Sequence, residues 1–473
     1  MIAIQIDVPQ SFRPKAMFAL KTMFSAFSVS VTFIDVDIKS DEYPIKMYYG
    51  LNPEEHISKA DIVIRASQKT IEYFEKQTAY EAENVFYIES ESVQLPVLFG
   101  SGEQTDEIIN ADVIASAFLF LSDWQSVVPG PRDAHGRAMY KHSVQAHLSV
   151  GMRPLVNEYA DFLTSLIKKK TSKKIPQKTW NGKKLAGVIT HDFDRIKKKY
   201  PGTWMREFVE IPFLNAHNLP PGARWRRFNL SLKDLMASDD GYERSIRKIF
   251  EFEKENGIRP TVLLKSIIKK HKNDARDYLD YPFLDEILAL TKKTGGEIGF
   301  HSSYMAGFDQ QLFEREYQQL KKRIGTSPKS HRFHYVRFNT DYGLGIPEKF
   351  GFKTDSSLGW AEQSGYRTGF THPHKIYDTR NNKPRKTVQL PMMLMDMQVF
   401  QYMHLDLEAG IEIAKKQVDT ALRYGGIVVW NFHHHTYDIA ETGECHLLFE
   451  KSLNYLTSKE PEFLTMGEFY ENN

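Results

Sequence analysis

From residue 185 to the C-terminus the chain repeats one pattern: a short apolar run, a polar cluster at its end, then a stretch with apolar residues at helical spacing. Residues 185–195 (LAGVITHDFDR) are the first and sharpest instance. An uninterrupted run with Val and Ile reads as a strand buried on both faces, as in a parallel sheet. Further strands are predicted at 261–264, 296–301, 331–338, 353–358, 388–394 and 426–430. Helices are predicted between them, at 242–256, 281–293, 312–324, 346–350 and 407–424. This alternation is the sequence form of an α/β fold, either a (β/α) barrel or a doubly wound sheet.

In such folds chemistry sits where strands end. The strand ends here carry Asp192 and Asp194, then His301, then Arg332 and His334, then His433, His434 and His435. Four polar clusters in one region argue for a single site at one face. Asp192 and Asp194 are two apart, so an extended backbone points both the same way. Two close carboxylates cannot both stay charged without a cation or a shared proton. A metal ligand beside a general base satisfies that condition. A solvated turn with an N-capping Asp is the alternative for this stretch taken alone.

The chain has 473 residues, which calls for two domains or three. Residues 1–167 read as an N-terminal α/β domain, with strands at 1–6, 30–36, 60–64 and 95–98 and helices at 15–27, 108–121 and 153–169. No catalytic grouping is visible there. Asp133, His135 and Arg137 fit a surface loop with a local salt bridge better than a site. Residues 168–184 are lysine-rich and read as a solvated linker before the barrel at 185–473. Within it, the polar and aromatic excursion 196–240 offers Trp204, Trp225, Arg226 and Arg227, either to line a cleft or to anchor a loop.

The net charge of +2, from 62 basic and 60 acidic residues, gives no call for nucleic acid or an anionic membrane. The lone Cys445 excludes an intrachain disulfide. The N-terminus MIAIQIDVPQSF lacks a secretory pattern, and no apolar run is long enough for a membrane span. The expected location is the cytoplasm.

The strand-end motifs resemble those of the polysaccharide deacetylase (NodB-homology, carbohydrate esterase family four-like) superfamily over residues 183–473. The branch most similar has a THDxD first motif, here Thr190-His191-Asp192-Phe193-Asp194, and an N-terminal α/β domain. The second motif appears as His301-Ser302-Ser303-Tyr304, the third as Arg332-Phe333-His334-Tyr335, the fourth around Asp355, and the fifth in residues 430–435. The resemblance implies a distorted (β/α) barrel and these roles: Asp192 the general base, Asp194 and His301 metal ligands, one of His433, His434 or His435 the general acid, Arg332 orienting the base and Asp355 orienting the acid. Because Phe193 separates two Asp that are usually adjacent, the base and ligand roles can swap.

The departure is Met305, where the family's second metal His would fall. Met is a poor partner for a metal among hard ligands. His334 is then the best replacement, with His191 as a spare ligand or a hydrogen-bonded residue under the sheet. The implied cofactor is a divalent metal, zinc first, with nickel, cobalt or manganese as alternatives. Tyr304, Tyr335, Trp430, His435 and Arg367 are candidate substrate contacts; His372 and His374 accompany Arg367 either at the cleft rim or as ordinary loop residues. The implied activity is removal of acetyl groups from N- or O-acetylated sugars or glycan precursors, by a chain that can form a homo-oligomer. The alternatives are an inactive barrel that binds a glycan or an assembly partner, and hydrolysis of another C–N bond.

Overall fold

A computed structural model describes residues 1–35, 43–79, 85–90, 93–101, 105–214, 221–340 and 342–471. Two sheets organise these residues. The first has four parallel strands, β1 (Ile2–Asp7), β2 (Val31–Ile34), β3 (Lys46–Gly50) and β4 (Ile62–Arg65), in the order β2-β1-β3-β4. An antiparallel hairpin of β5 (Phe86–Ser90) and β6 (Val93–Val97) stands beside it. The run predicted at 95–98 belongs to this hairpin, while Val36 of the run predicted at 30–36 lies outside the described residues. Helices Arg13–Phe24, Val113–Leu121 and Leu155–Thr171 bury apolar faces in the same core. Phe370 and Tyr377, from much later in the chain, complete that core.

The second sheet has ten strands. In chain order they are β7 (Ala186–Phe193), β8 (Thr261–Leu264), β9 (Glu297–Ser302), β10 (Ser330–Phe333), β11 (Thr354–Asp355), β12 (His374–Asp378), β13 (Lys383–Gln389), β14 (Leu394–Met395), β15 (Ile427–Asn431) and β16 (Glu462–Phe463). Their spatial order is β12-β13-β11-β10-β9-β8-β7-β15-β14, with β16 on β7. All pairings are parallel except β12 with β13. From β7 to β11 the strands follow in sequence, and β15 returns to the other side of β7. The sheet is therefore singly wound and curls towards a barrel. All eight residues of β7 are buried, which explains its uninterrupted apolar character.

The run predicted as one strand at 388–394 is split. Its first part pairs with β11, and its second part pairs with β15 on the far side. Pro391 lies in the break; without an N–H it cannot extend a ladder, so the chain leaves one edge and joins the other. The lysine-rich stretch is also less open than its composition suggests. Lys168–Thr171 finish the helix Leu155–Thr171, and Trp180 is buried against Phe469. Among the described residues no helix is long and apolar enough to cross a membrane.

Candidate active site

Strand register decides which side chains meet. In β7 the alternation turns Thr190 and Asp192 to one face and His191 and Phe193 to the other. His191 goes under the sheet, where Nε2 lies 2.7 Å from Glu253 Oε1 and Nδ1 lies 2.9 Å from the Phe432 carbonyl. Asp194, just past the strand, returns to the side of Asp192. In the β9–β10 ladder His301 stands opposite Arg332, and in the β7–β15 ladder Asn431 stands opposite Thr190.

Three side chains converge on one point. Asp194 Oδ1 lies 3.1 Å from His334 Nε2 and 3.5 Å from His301 Nε2. Asp194, His301 and His334 offer ligand atoms that all lie within 4.8 Å of one another. His301 Nδ1 is 2.9 Å from the Arg332 carbonyl, an acceptor only, so that nitrogen carries the proton and Nε2 presents a lone pair. Nε2 is buried and has no hydrogen-bond partner. An orphaned imidazole nitrogen beside a carboxylate and a second imidazole fits a divalent cation of the zinc group. Behind the trio, Asp274 Oδ1 lies 2.8 Å from His334 Nδ1, the carboxylate backing typical of a metal-binding histidine. Lys265 is wholly buried at the end of β8, with Nζ 2.8 Å from His334 Nδ1, 3.0 Å from Asp274 and 3.3 Å from Asp194. Burial opposes the charge on Asp194, but His334 and Lys265 beside it hold the carboxyl well below its ordinary value.

Asp192 stands next to this trio, with Oδ2 3.7 Å from His301 Nε2. Arg332 Nη1 donates to Oδ1 at 2.8 Å and Asn431 Nδ2 donates to Oδ2 at 2.9 Å. Arg332 is itself fixed by Thr190 Oγ1, Ser356 Oγ and the Ser356 carbonyl. Burial pushes the Asp192 carboxyl up; Arg332, His301 and His433 outweigh it and keep the group below its ordinary value. His433 faces the trio from the end of β15, with Nε2 3.8 Å from Asp194 Oδ2. Its Nδ1 lies 2.7 Å from Asp396 Oδ1, while Asp396 Oδ2 accepts from the His433 N–H and from Thr436 Oγ1. Burial lowers the His433 imidazolium, but Asp396 reverses the shift and lifts it to about 9.

A cavity of about 560 Å³ opens above these groups. Asp192, Asp194, His301, Arg332, His334, Tyr335, His433 and His435 all line it. The other expected site residues do not. Asp355 does not orient the acid: it is the β11 partner of His331, on the face opposite Arg332, and its carboxylate is taken by His331 Nδ1 (2.7 Å) and by Ser357. Asp396 holds His433 instead. His434 is buried between Phe193 and Tyr242, and burial drives its imidazole well below the ordinary value. Trp430 points away from Asn431 into the core, its indole N–H donating to Gln417. Arg367 pairs with Asp123 through two guanidinium nitrogens, and His372 and His374 are likewise buried and outside the cavity lining. Tyr304 sits behind Tyr335, with its hydroxyl 2.9 Å from His135 Nδ1. Met305 lies off the trio, beside Arg337.

Sequence reasoning missed Lys265, Asp274, Asp396 and Asn431, and it set Arg137 aside. Lys265, Asp396 and Asn431 each follow or end an apolar run, the same signal that revealed Asp192 and His301. Arg137 does pair with Asp133, but it also lines the cavity and donates from Nη1 to the Tyr335 carbonyl at 2.8 Å. That contact fixes a residue held at φ 59°. Of the excursion residues, Arg227 lines the cavity and binds Glu207, whereas Trp225 is about half exposed.

Residues 4–172 match a family of unknown function (DUF7033). No curated protein matches the chain. Among solved structures, the chain is similar to a putative polysaccharide deacetylase from Mycobacterium smegmatis, at 15% identity over 62% of this chain and 92% of that one, with a TM-score of 0.41. It is also similar to a novel carbohydrate deacetylase, Agd3, at 8% identity over 100% and 86% of the two chains, with a TM-score of 0.37. A family 4 carbohydrate esterase from Streptomyces lividans in complex with acetate aligns at 14% identity over 47% of this chain and 84% of that one, with a TM-score of 0.28.

Proposed function

We propose that the chain is a metal-dependent hydrolase that removes acetyl groups from an N- or O-acetylated sugar in polysaccharide or glycan-precursor metabolism, and that it acts in the cytoplasm. One arrangement carries this reading: a carboxylate held ionised and an imidazole held protonated flank a three-ligand His/Asp cluster in one cavity. Asp194, His301 and His334 would hold the cation. Such an ion lowers the pKa of water from about 15.7 towards about 7 and polarises a carbonyl.

The remaining steps belong to the protein. Asp192 accepts the proton of the attacking water, a contribution of roughly 10²–10⁴-fold in rate. Arg332 and Asn431 fix both its oxygens, so the carboxylate turns its free lone pairs to the cavity. His433 gives its Nε2 proton to the leaving nitrogen or oxygen, while Asp396 keeps the proton on Nδ1. A backbone N–H near Tyr335, a segment braced by Arg137, would hold the developing oxyanion. Tyr335, Phe400 and Tyr402 in the cavity wall offer aromatic faces to a sugar ring.

A second reading is a barrel that binds a glycan without hydrolysing it. Lys265 favours it, because an ammonium already contacts Asp194 and His334 and supplies positive charge without an ion. Acetate release from a panel of N- and O-acetylated sugars, measured with the metal-loaded protein and with Asp192→Asn, separates the two. Release that Asp192→Asn abolishes supports hydrolysis; no release from any member supports the binder.

A further inference from the structure

A second cavity, of about 240 Å³, neighbours the main one and shares Arg195, Arg206 and Ala275 with its lining. Ten residues line the second cavity; Arg195, Lys197, Lys198, Arg206 and Arg276 are among them, and none is acidic. Three of the five cations are balanced from outside it. Arg195 pairs with Glu441 at 3.2 Å, Arg206 with Glu207 at 3.0 Å, and Lys198 with Asp438 at 2.6 Å. Lys197 and Arg276 pair with no carboxylate among the described residues. Instead both lie against the ring of Tyr200, at 5.3 and 5.0 Å from its centre. Lys197 also lies 5.0 Å from the centre of the Tyr281 ring, so each cation has an aromatic face and no described carboxylate to compete with an incoming anion. A concave, acid-free wall of this kind concentrates anions. Guanidinium groups fit the oxygens of a phosphate in particular.

We propose that this second cavity is a subsite for a phosphate or diphosphate group carried by the substrate. The acetylated sugar would reach the site of Asp192 and His433 as a phosphorylated precursor, anchored by Lys197 and Arg276. The word substrate rests on the hydrolase reading; the binding itself does not. The phosphate has two sources, a soluble sugar phosphate or a lipid headgroup. The second is open because the neighbouring helical excursion leaves Phe213 63%, Leu214 70% and Met236 78% exposed, with Trp225 beside Phe213.

The test is calorimetric titration of inorganic pyrophosphate into the full chain, together with Lys197→Ala/Arg276→Ala, the single Arg276→Ala at an exposed position, and His301→Ala. Pyrophosphate should bind the wild type and His301→Ala alike, weaken about tenfold in Arg276→Ala and further in the double variant. No binding by the wild type, or equal binding by the double variant, overturns the proposal. Loss in His301→Ala with retention in the double variant also overturns it, since the anion then sits at the trio. None of these results depends on turnover. Cosedimentation with phosphatidylcholine vesicles doped with phosphatidic acid identifies the source. Vesicle binding lost in the double variant indicates a lipid headgroup, and pyrophosphate binding without vesicle binding indicates a soluble phosphate.

Discussion

Asp112, beside the first sheet, and Asp192, in the second, are both buried, at 0% and 4% exposure, yet their carboxyls are shifted in opposite directions. Asp112 caps the helix Val113–Leu121 by accepting from the Ala115 N–H, and it also accepts from the Tyr49 hydroxyl. No cation pairs with it among the described residues, and burial lifts its carboxyl to about 7. Asp192 meets the same burial but faces Arg332 and two histidines, and it stays ionised. Burial alone does not decide whether a carboxyl is a structural cap or a base; the cation beside it does. The second sheet places such cations at Asp192, Asp194 and Asp396, all in the cavity or one contact behind it.

The largest effect follows from neutralising the base without changing its shape. Asp192→Asn should lower kcat by roughly 10²–10⁴-fold with metal content unchanged, and should lower the melting temperature because Arg332 is left buried without its anion, as measured by acetate release, elemental analysis and calorimetry. An active Asp192→Asn would move the base role to Asp194. Next, Arg332→Met should turn Asp192 into a second Asp112. It leaves a buried carboxyl without its cation and should destabilise the fold by about 3–5 kcal/mol at neutral pH, read from urea unfolding. A loss below about 1 kcal/mol would show that Arg332 is not what keeps Asp192 ionised.

Much of this arrangement is legible in the sequence because strand-end polar residues interrupt apolar runs. Asp192, Asp194, His301, Arg332, His334 and His433 all sit at such interruptions. Errors arise where strands are too short to set a register. β11 has two residues, too few to show which side Asp355 faces; the resemblance alone assigns it to the acid, whereas it pairs with His331 and its neighbour Ser356 touches Arg332. β14 also has two residues, which hides Asp396 behind what reads as a continuation of β13. β3, KMYYG, shows no alternation because the four residues after Lys46 are all buried. Asp274 sits on an irregular loop and Arg137 arrives from a segment that contributes no other residue to the cavity lining, so neither carries a periodic signal.

Two smaller effects sharpen the contrast between the sheets. Asp396 raises His433 to about 9, so its acid form should persist until pH rises through about 9, where activity falls. Asp396→Asn removes the largest of the carboxylate effects that raise His433 and leaves Asp194 and Asp192 against burial, so this alkaline limb should move to lower pH, seen in the pH profile of kcat. An unmoved limb would assign it to another group. For Asp112 the folded value of about 7 lies above 3.8. Its stabilising contribution is therefore full below about pH 4 and is lost as pH rises to about 7. Asp112→Asn, which keeps a capping side chain, should flatten that fall in urea midpoints; an unchanged slope would place the titration elsewhere.

Asp194, His301 and His334 should together form a metal site although Lys265 adds a charge beside them. Elemental analysis of the purified wild type beside His301→Ala/His334→Ala tests it directly. The wild type should hold close to one zinc, nickel, cobalt or manganese per chain and the double variant almost none. A wild type that stays metal-free after reconstitution, with Lys265 bound to Asp194, would contradict it and leave a glycan-binding barrel as the better description.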